Sequence, residues 1–172
     1  MRIVGGRWAD RNLTSPGKRI RPTAEAVRVR WVESIGPSLE GARILELCAG
    51  TGAVGLEALS RGAARVDFVE NHPAALHALK ANIAALRARD ATRAFKRDAV
   101  PFLERAEVGG WEFVFADPPY GSGVAPLLVS IWKRRRITPT FVLEHATDDP
   151  GIPPGARTLR LGDASLTTYR LG

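Results

Sequence analysis

The stretch that most constrains this chain runs from Arg43 to Gly55. Arg43 to Cys48 is a short apolar strand, Gly50-Thr51-Gly52 is a turn, and a helical segment opens immediately afterwards, from Val54 to Arg61. Gly50 and Gly52 let the backbone turn tightly and approach a ligand, and Gly55 permits close contact between helix and sheet. An acid, Glu70, follows 20 residues after Gly50, at the end of the next apolar run, Val66 to Val69. A carboxylate there can accept both hydroxyls of an adenosine ribose. Strand, glycine turn, helix and acid in this order predict an α/β domain that binds an adenosine cofactor.

The rest of the chain continues the alternation. Helices are expected over His72 to Arg89, Val100 to Glu107 and Val124 to Arg135. Strands are expected over 93–97, Trp111 to Ala116 and Phe141 to Glu144. Strands alternating with helices imply a mostly parallel sheet covered on both faces. Residues 157–171 lack a helical period and read as a closing hairpin around Gly162-Asp163, which brings the strand count to seven. Before Arg43, residues 2–14 read as a small β-hairpin with Gly5-Gly6 at a turn. A helix over 24–35 follows, with Thr23 as N-cap and Val27, Trp31 and Ile35 at helical spacing. The expected organisation is therefore a basic N-terminal extension, residues 1–36, and one compact α/β unit, residues 37–172.

Two acidic features narrow the cofactor and the chemistry. Glu46 ends the first strand, four residues before Gly50. Beside a dinucleotide pyrophosphate it would be repulsive, whereas beside the ammonium of a methionine tail it is favourable. That favours S-adenosylmethionine over NAD. Asp117-Pro118-Pro119-Tyr120 follows the strand that ends at Ala116, and ligands of doubly wound sheets bind outside the carboxyl ends of the strands. The prolines have no N–H to donate and hold the chain stiff. The Asp117 carboxylate and the Pro118 carbonyl can then take both hydrogens of a planar exocyclic amine, and they stabilise the positive charge that grows on its nitrogen during attack. Tyr120 offers a flat face to a base taken out of its stack.

The net charge of +7 is concentrated at the start. Residues 1–30 hold eight basic side chains against two acids, Asp10 and Glu25. Such a patch points to a polyanion. A solvated arginine-rich surface is the plainer alternative. Lys133 to Arg136 ends an expected helix, where cations favour the dipole. The single cysteine, Cys48, is expected as a small buried core residue and fits a reducing cytoplasm. Trp31 and Trp132 read as core, while Trp8 could stack on a base. His72, His77 and His145 show no metal spacing, so no metal is expected. The segment up to Asp10 lacks a signal-peptide core, and the longest uncharged stretch, 118–132, is broken by prolines and glycines, so no membrane span is expected.

In sequence order come Arg21-Pro22-Thr23, the run from Gly50 to Ala63, Val69-Glu70, Arg97-Asp98-Ala99, Asp117 to Tyr120 and Val142-Leu143-Glu144. This order resembles the bacterial 16S rRNA guanine-N2 methyltransferase family over nearly the whole chain. The resemblance implies a Rossmann-like class I methyltransferase fold. It implies S-adenosylmethionine as donor and one guanine of a small-subunit hairpin loop near the P site as target. It places Glu46 and the backbone of Ala49, Gly50, Thr51 and Gly52 against the methionine part, and Glu70 on the ribose. Asp98 would take the adenine amine with the Ala99 backbone beside it, although Asp98 also suits a helix N-cap. Asp117, Pro118 and Tyr120 become the catalytic candidates. Arg2, Arg7, Arg11, Arg21, Thr23 and Arg28 become the RNA contacts. The expected partner is 16S rRNA in the 30S subunit or an assembly intermediate, and the expected state is a monomer. A DNA adenine-N6 methyltransferase, an NAD-dependent oxidoreductase and a non-catalytic RNA-binding factor are the competing readings.

Overall fold

A computed structural model describes residues 1–15 and 25–172. The sequence expectations for Arg21 and Thr23 lie outside the described residues. In chain order the elements are α1 (Glu25–Ile35), β1 (Arg43–Leu47), α2 (Ala53–Ser60), β2 (Arg65–Val69), α3 (Pro73–Ala85) and β3 (Thr92–Phe95). They continue with α4 (Ala99–Arg105), β4 (Phe113–Ala116), α5 (Val124–Arg135), β5 (Thr140–Ala146), β6 (Arg157–Leu161) and β7 (Ala164–Arg170). The strands form one sheet in the order β3-β2-β1-β4-β5-β7-β6. The first five are parallel. β7 enters antiparallel between β5 and β6, so the expected closing hairpin completes the sheet. This is the Rossmann-like class I methyltransferase architecture. The strand order reverses between β1 and β4, which opens a crevice at their carboxyl ends.

Alternation along the strands separates two cores. Ile44, Val66, Phe68, Phe113, Phe115 and Val142 face α1, α2 and α3. Leu45, Leu47, Val69, Val114, Ala116, Phe141 and Leu143 face the side of α4 and α5. Trp31 belongs to the first core and Trp132 to the second, as their helical spacing predicts. All eight residues of α2 are buried, because α2 is sandwiched between the sheet and the N-terminal segment.

That segment folds back on itself, as expected, but with a single antiparallel bridge, Arg2 to Asn12, and a 3-10 turn at Gly6–Trp8 in place of two full strands. Side-chain anchors do the work of the missing ladder. Glu57 accepts from the amides of Val4 at 2.8 Å and Gly5 at 2.9 Å. Ser60 Oγ accepts from the Trp8 amide at 2.9 Å, and Asn82 Oδ1 from the Thr14 amide at 2.7 Å. Ile3 and Leu13 are buried in the same core as the sheet. The third helix is shorter than its apolar spacing predicts: Arg87 takes a left-handed conformation, φ 53°, just past the end of α3, a common way to close a helix. No described helix is long and apolar enough to cross a membrane.

Candidate active site at the carboxyl ends of the strands

The glycine turn has the geometry its sequence requires. Cys48, Gly50 and Gly52 all have positive φ, at 54°, 57° and 75°. At Gly50 no described atom lies within 4 Å of the place a Cβ would take, so the backbone is open to a ligand. At Gly52 a Cβ would meet Leu79 at 2.3 Å, so this glycine serves packing and the helix start and is not among the cavity-lining residues. At Gly55 a Cβ would fall 2.3 Å from Glu46 Oε2 and 2.7 Å from Phe68. Gly55 thus makes room for a carboxylate as well as for the sheet.

A cavity of about 880 Å³ opens over this turn, within the usual range for small-molecule sites. Glu46, Ala49, Gly50, Thr51 and Glu70 line it from the β1 and β2 side. Asp98 and Ala99 close one end, and Asp117, Pro118 and Tyr120 the other. The structure therefore brings together every predicted cofactor and catalytic residue except Gly52, which lies just behind the wall.

The acids share one face of the sheet. Glu46, Glu70, Asp117 and Glu144 continue the alternation of Ile44, Phe68, Phe115 and Val142: Glu46 and Glu144 lie in the carboxyl-terminal halves of β1 and β5, and Glu70 and Asp117 directly follow β2 and β4. Glu46 is buried, and its Oε2 accepts from the Gly55 amide at 2.8 Å. Burial pushes this carboxyl up to about 8. The Gly55 amide opposes the rise, and nearby Asp117 and Glu70 add to it. Glu70 accepts from the Gly50 amide at 2.7 Å through one oxygen and from the His72 amide at 2.7 Å through the other. It clamps the turn while remaining in the cavity wall.

Asp98 occupies the N-cap position of α4, yet its side chain does not cap the helix. Asn71 Nδ2 donates to Asp98 Oδ1 at 2.5 Å, which holds the carboxylate at the rim. Tyr120 is 41% exposed, and its hydroxyl donates to Glu144 Oε1 at 3.1 Å.

Some expectations are corrected. Cys48 is half-buried in the cavity wall and is not a core residue. Burial, with Glu70 and Asp117 close by, pushes its thiol up to about 12. Arg28, expected on RNA, is fully buried. It shares the inward face of α1 with Trp31 and Val32, three and four residues on, and its Nη2 donates to the Arg2 carbonyl at 2.6 Å. Desolvation lowers its pKa, while Glu57 and Glu25 raise it. Arg2 is exposed but pairs with Asp10 and Glu25. Arg7 and Arg11 are exposed. The Arg7 guanidinium lies 4.1 Å from the centroid of the half-buried Trp8 ring. In the basic run, Arg136 Nη2 reaches the Gly172 carbonyl at 2.9 Å and Arg135 reaches backbone carbonyls near the end of α4.

Sequence reasoning assigned Glu144 no role of its own. An acid at the carboxyl end of a parallel strand was the same signal that singled out Glu46 and Glu70. Asn71 carried no such signal, because its partner Asp98 is 27 residues away.

A family profile described as Conserved hypothetical protein 95 matches residues 1–165. Ribosomal RNA small subunit methyltransferase D of Escherichia coli is 39% identical over 127 residues, 72% of this chain and 62% of its own length. YlbH of Bacillus subtilis, provisionally named as an rRNA methyltransferase, is 35% identical over 70% of this chain and 67% of its own. The chain belongs to this RsmD-like rRNA methyltransferase family. In the comparison with the Escherichia coli relative the chain spans less than two thirds of that protein. A solved structure of Escherichia coli YhhF, provisionally named as a methyltransferase, superposes with a TM-score of 0.84 at 30% identity. It covers 99% of this chain and 97% of that one.

Proposed function

We propose that this protein methylates the exocyclic N2 amine of a guanine in 16S rRNA, with S-adenosylmethionine as the methyl donor. The observation that carries the reading is the acid content of the cavity wall. Four carboxyl groups in one cavity wall suit a cationic ligand and repel a pyrophosphate. Glu46 makes the point most sharply, because burial and the neighbouring Asp117 and Glu70 disfavour its charge, and a cation beside it would favour that charge. The ammonium of the methionine part meets that need, and the pyrophosphate of NAD does not.

S-adenosylmethionine supplies an already activated methyl group. The work left to the chain is therefore placement. Glu46 and the backbone from Ala49 to Thr51 hold the methionine part. Glu70, fixed by the Gly50 and His72 amides, accepts from the ribose, and Asp98 with the Ala99 backbone takes the adenine end. Across the cavity, the Asp117 carboxylate and the Pro118 carbonyl accept the two hydrogens of the target amine. These acceptors grow more favourable as positive charge develops on nitrogen. The proton leaves after transfer, through Asp117 or water. Tyr120 stacks on the base.

Arg2, Arg7 and Arg11 supply phosphate contacts from the N-terminal extension, residues 1–36, with Arg21 and Thr23 further candidates from the sequence. The substrate form is the 30S subunit or an assembly intermediate, in the cytoplasm, and the enzyme acts as a monomer. The test is transfer of labelled methyl to 30S subunits and to 16S rRNA lacking the modification, with DNA in parallel, followed by nucleoside analysis. Label in a single N2-methylguanine is the expected result. Label in DNA N6-methyladenine would replace this reading with the adenine-N6 one.

A further inference from the structure

We propose that Glu144 is the residue that reads the target base as guanine, by accepting the N1–H that neighbours the reacting N2 amine. The inference rests on the guanine-N2 reading above and concerns the same cavity. β4 and β5 are parallel neighbours, with Ala116 opposite Leu143. Asp117 directly follows Ala116 at the end of β4, and Glu144 directly follows Leu143 within β5, so the two carboxylates stand on the same face of neighbouring chain segments, about 4.8 Å apart at the backbone. Both line the cavity. Glu144 is 6% exposed, so what it meets in the cavity is decided by the cavity's shape and not by bulk water.

The chemistry of the base follows from that placement. On guanine, the N2 amine adjoins N1–H, a second donor on the same edge. When Asp117 and Pro118 accept from the amine, an acceptor one strand away meets N1–H. On adenine or cytosine, the exocyclic amine adjoins a ring nitrogen lone pair. A carboxylate facing that lone pair is repulsive and leaves a buried acceptor unsatisfied. Asp117 and Pro118 alone take any planar amine, so they cannot separate these bases.

Tyr120 supplies the orientation. Its hydroxyl donates to Glu144 Oε1 at 3.1 Å. An ionised carboxylate has acceptor capacity on both oxygens, so this bond fixes the group and leaves acceptor capacity for N1–H. The same tyrosine whose ring stacks on the base thus orients the group that reads its edge.

The test uses two 16S rRNA substrates, with guanine or 2-aminopurine at the mapped target. 2-Aminopurine keeps the 2-amine but has a lone pair at N1. The wild-type ratio of kcat/KM for guanine over 2-aminopurine is compared with the ratio for Glu144→Gln, so that differences in intrinsic amine reactivity cancel. Glutamine can accept from N1–H or donate to N1, so it is indifferent to the exchange. We expect the ratio to fall by about a hundredfold, with S-adenosylhomocysteine affinity within twofold of wild type. Tyr120→Phe, which keeps the ring and removes the donor, is expected to lower the ratio by about tenfold and carries the test if Glu144→Gln does not fold. Equal losses on both substrates, with the ratio unchanged in both variants, would overturn the assignment of Glu144 and leave the guanine-N2 reading standing. If the wild type instead methylates no guanine, both readings fall together.

Discussion

Helix α2 lies between two groups of buried carboxylates that behave differently. On its outer side, Glu57 is wholly buried and fully engaged within the fold, by the Val4 and Gly5 amides and by Arg61 at 2.7 Å. On its inner side, Glu46 and Glu70 also accept from backbone amides, but both form part of a cavity wall. Burial and hydrogen bonding are shared; the open space is not. An acid enclosed by its own chain stabilises the fold. An acid that is bonded on one side and opens onto a cavity on the other is held ready for a ligand. The comparison sorts the buried acids of this protein into structure and site.

Substitutions on each side should separate the two groups. Outside the reacting step itself, the largest effect is expected for Glu70→Ala. It removes both the clamp on the turn and the proposed ribose acceptor, and S-adenosylhomocysteine binding by calorimetry should weaken by about a hundredfold or more. Loss of overall stability with affinity retained would move Glu70 to the structural group. Glu57→Ala should do the opposite. It leaves two amides and Arg61 without their acceptor and should cost about 3 kcal/mol in urea unfolding, with ligand affinity of the folded fraction unchanged. Gly55→Ala touches both groups, because its methyl would meet Glu46 Oε2. About 1–3 kcal/mol of lost stability, together with weaker ligand binding, is the expected signature.

Acidity gives a subtler test. Glu46 sits above its unfolded value, so the folded protein holds the extra proton between about 4.5 and 8. Stability of the ligand-free protein therefore falls as pH rises through that window. Glu46→Gln should flatten this dependence in thermal unfolding; an unchanged slope would mean another group is responsible. The smallest effect is expected at the N-terminal surface. Charge reversal at Arg7 and Arg11 should lower the salt slope of RNA binding by roughly 2. Arg28→Met should change stability and leave that slope alone.

The same contrast explains what was legible in the sequence. The cavity residues were readable because local backbone chemistry fixes them: Gly50 has a positive φ, Pro118 lacks a donor, and the acids follow the plain periodicity of their strands. The N-terminal segment was not readable in this way. Its charge count marked a basic surface, but a count has no direction, and whether Arg28 points to solvent or to Trp31 depends on what α1 packs against. The anchors Glu57, Ser60 and Asn82 were invisible for a related reason. Their partners lie 52 to 68 residues away, and no local pattern encodes such pairings. Glu144 falls between: its place on the last parallel strand was legible, although that strand runs on to Ala146, and its partnership with Tyr120 was not.

If the Asp117 carboxylate and the Pro118 carbonyl are the acceptors for the target amine, transfer can be lost while the donor site survives. The decisive measurement is single-turnover methyl transfer to 30S subunits by Asp117→Ala at saturating S-adenosylmethionine. A loss of at least about a thousandfold in the transfer rate is expected, with donor affinity within a few-fold of wild type. Transfer at the wild-type rate would show that Asp117 has no part in the chemistry.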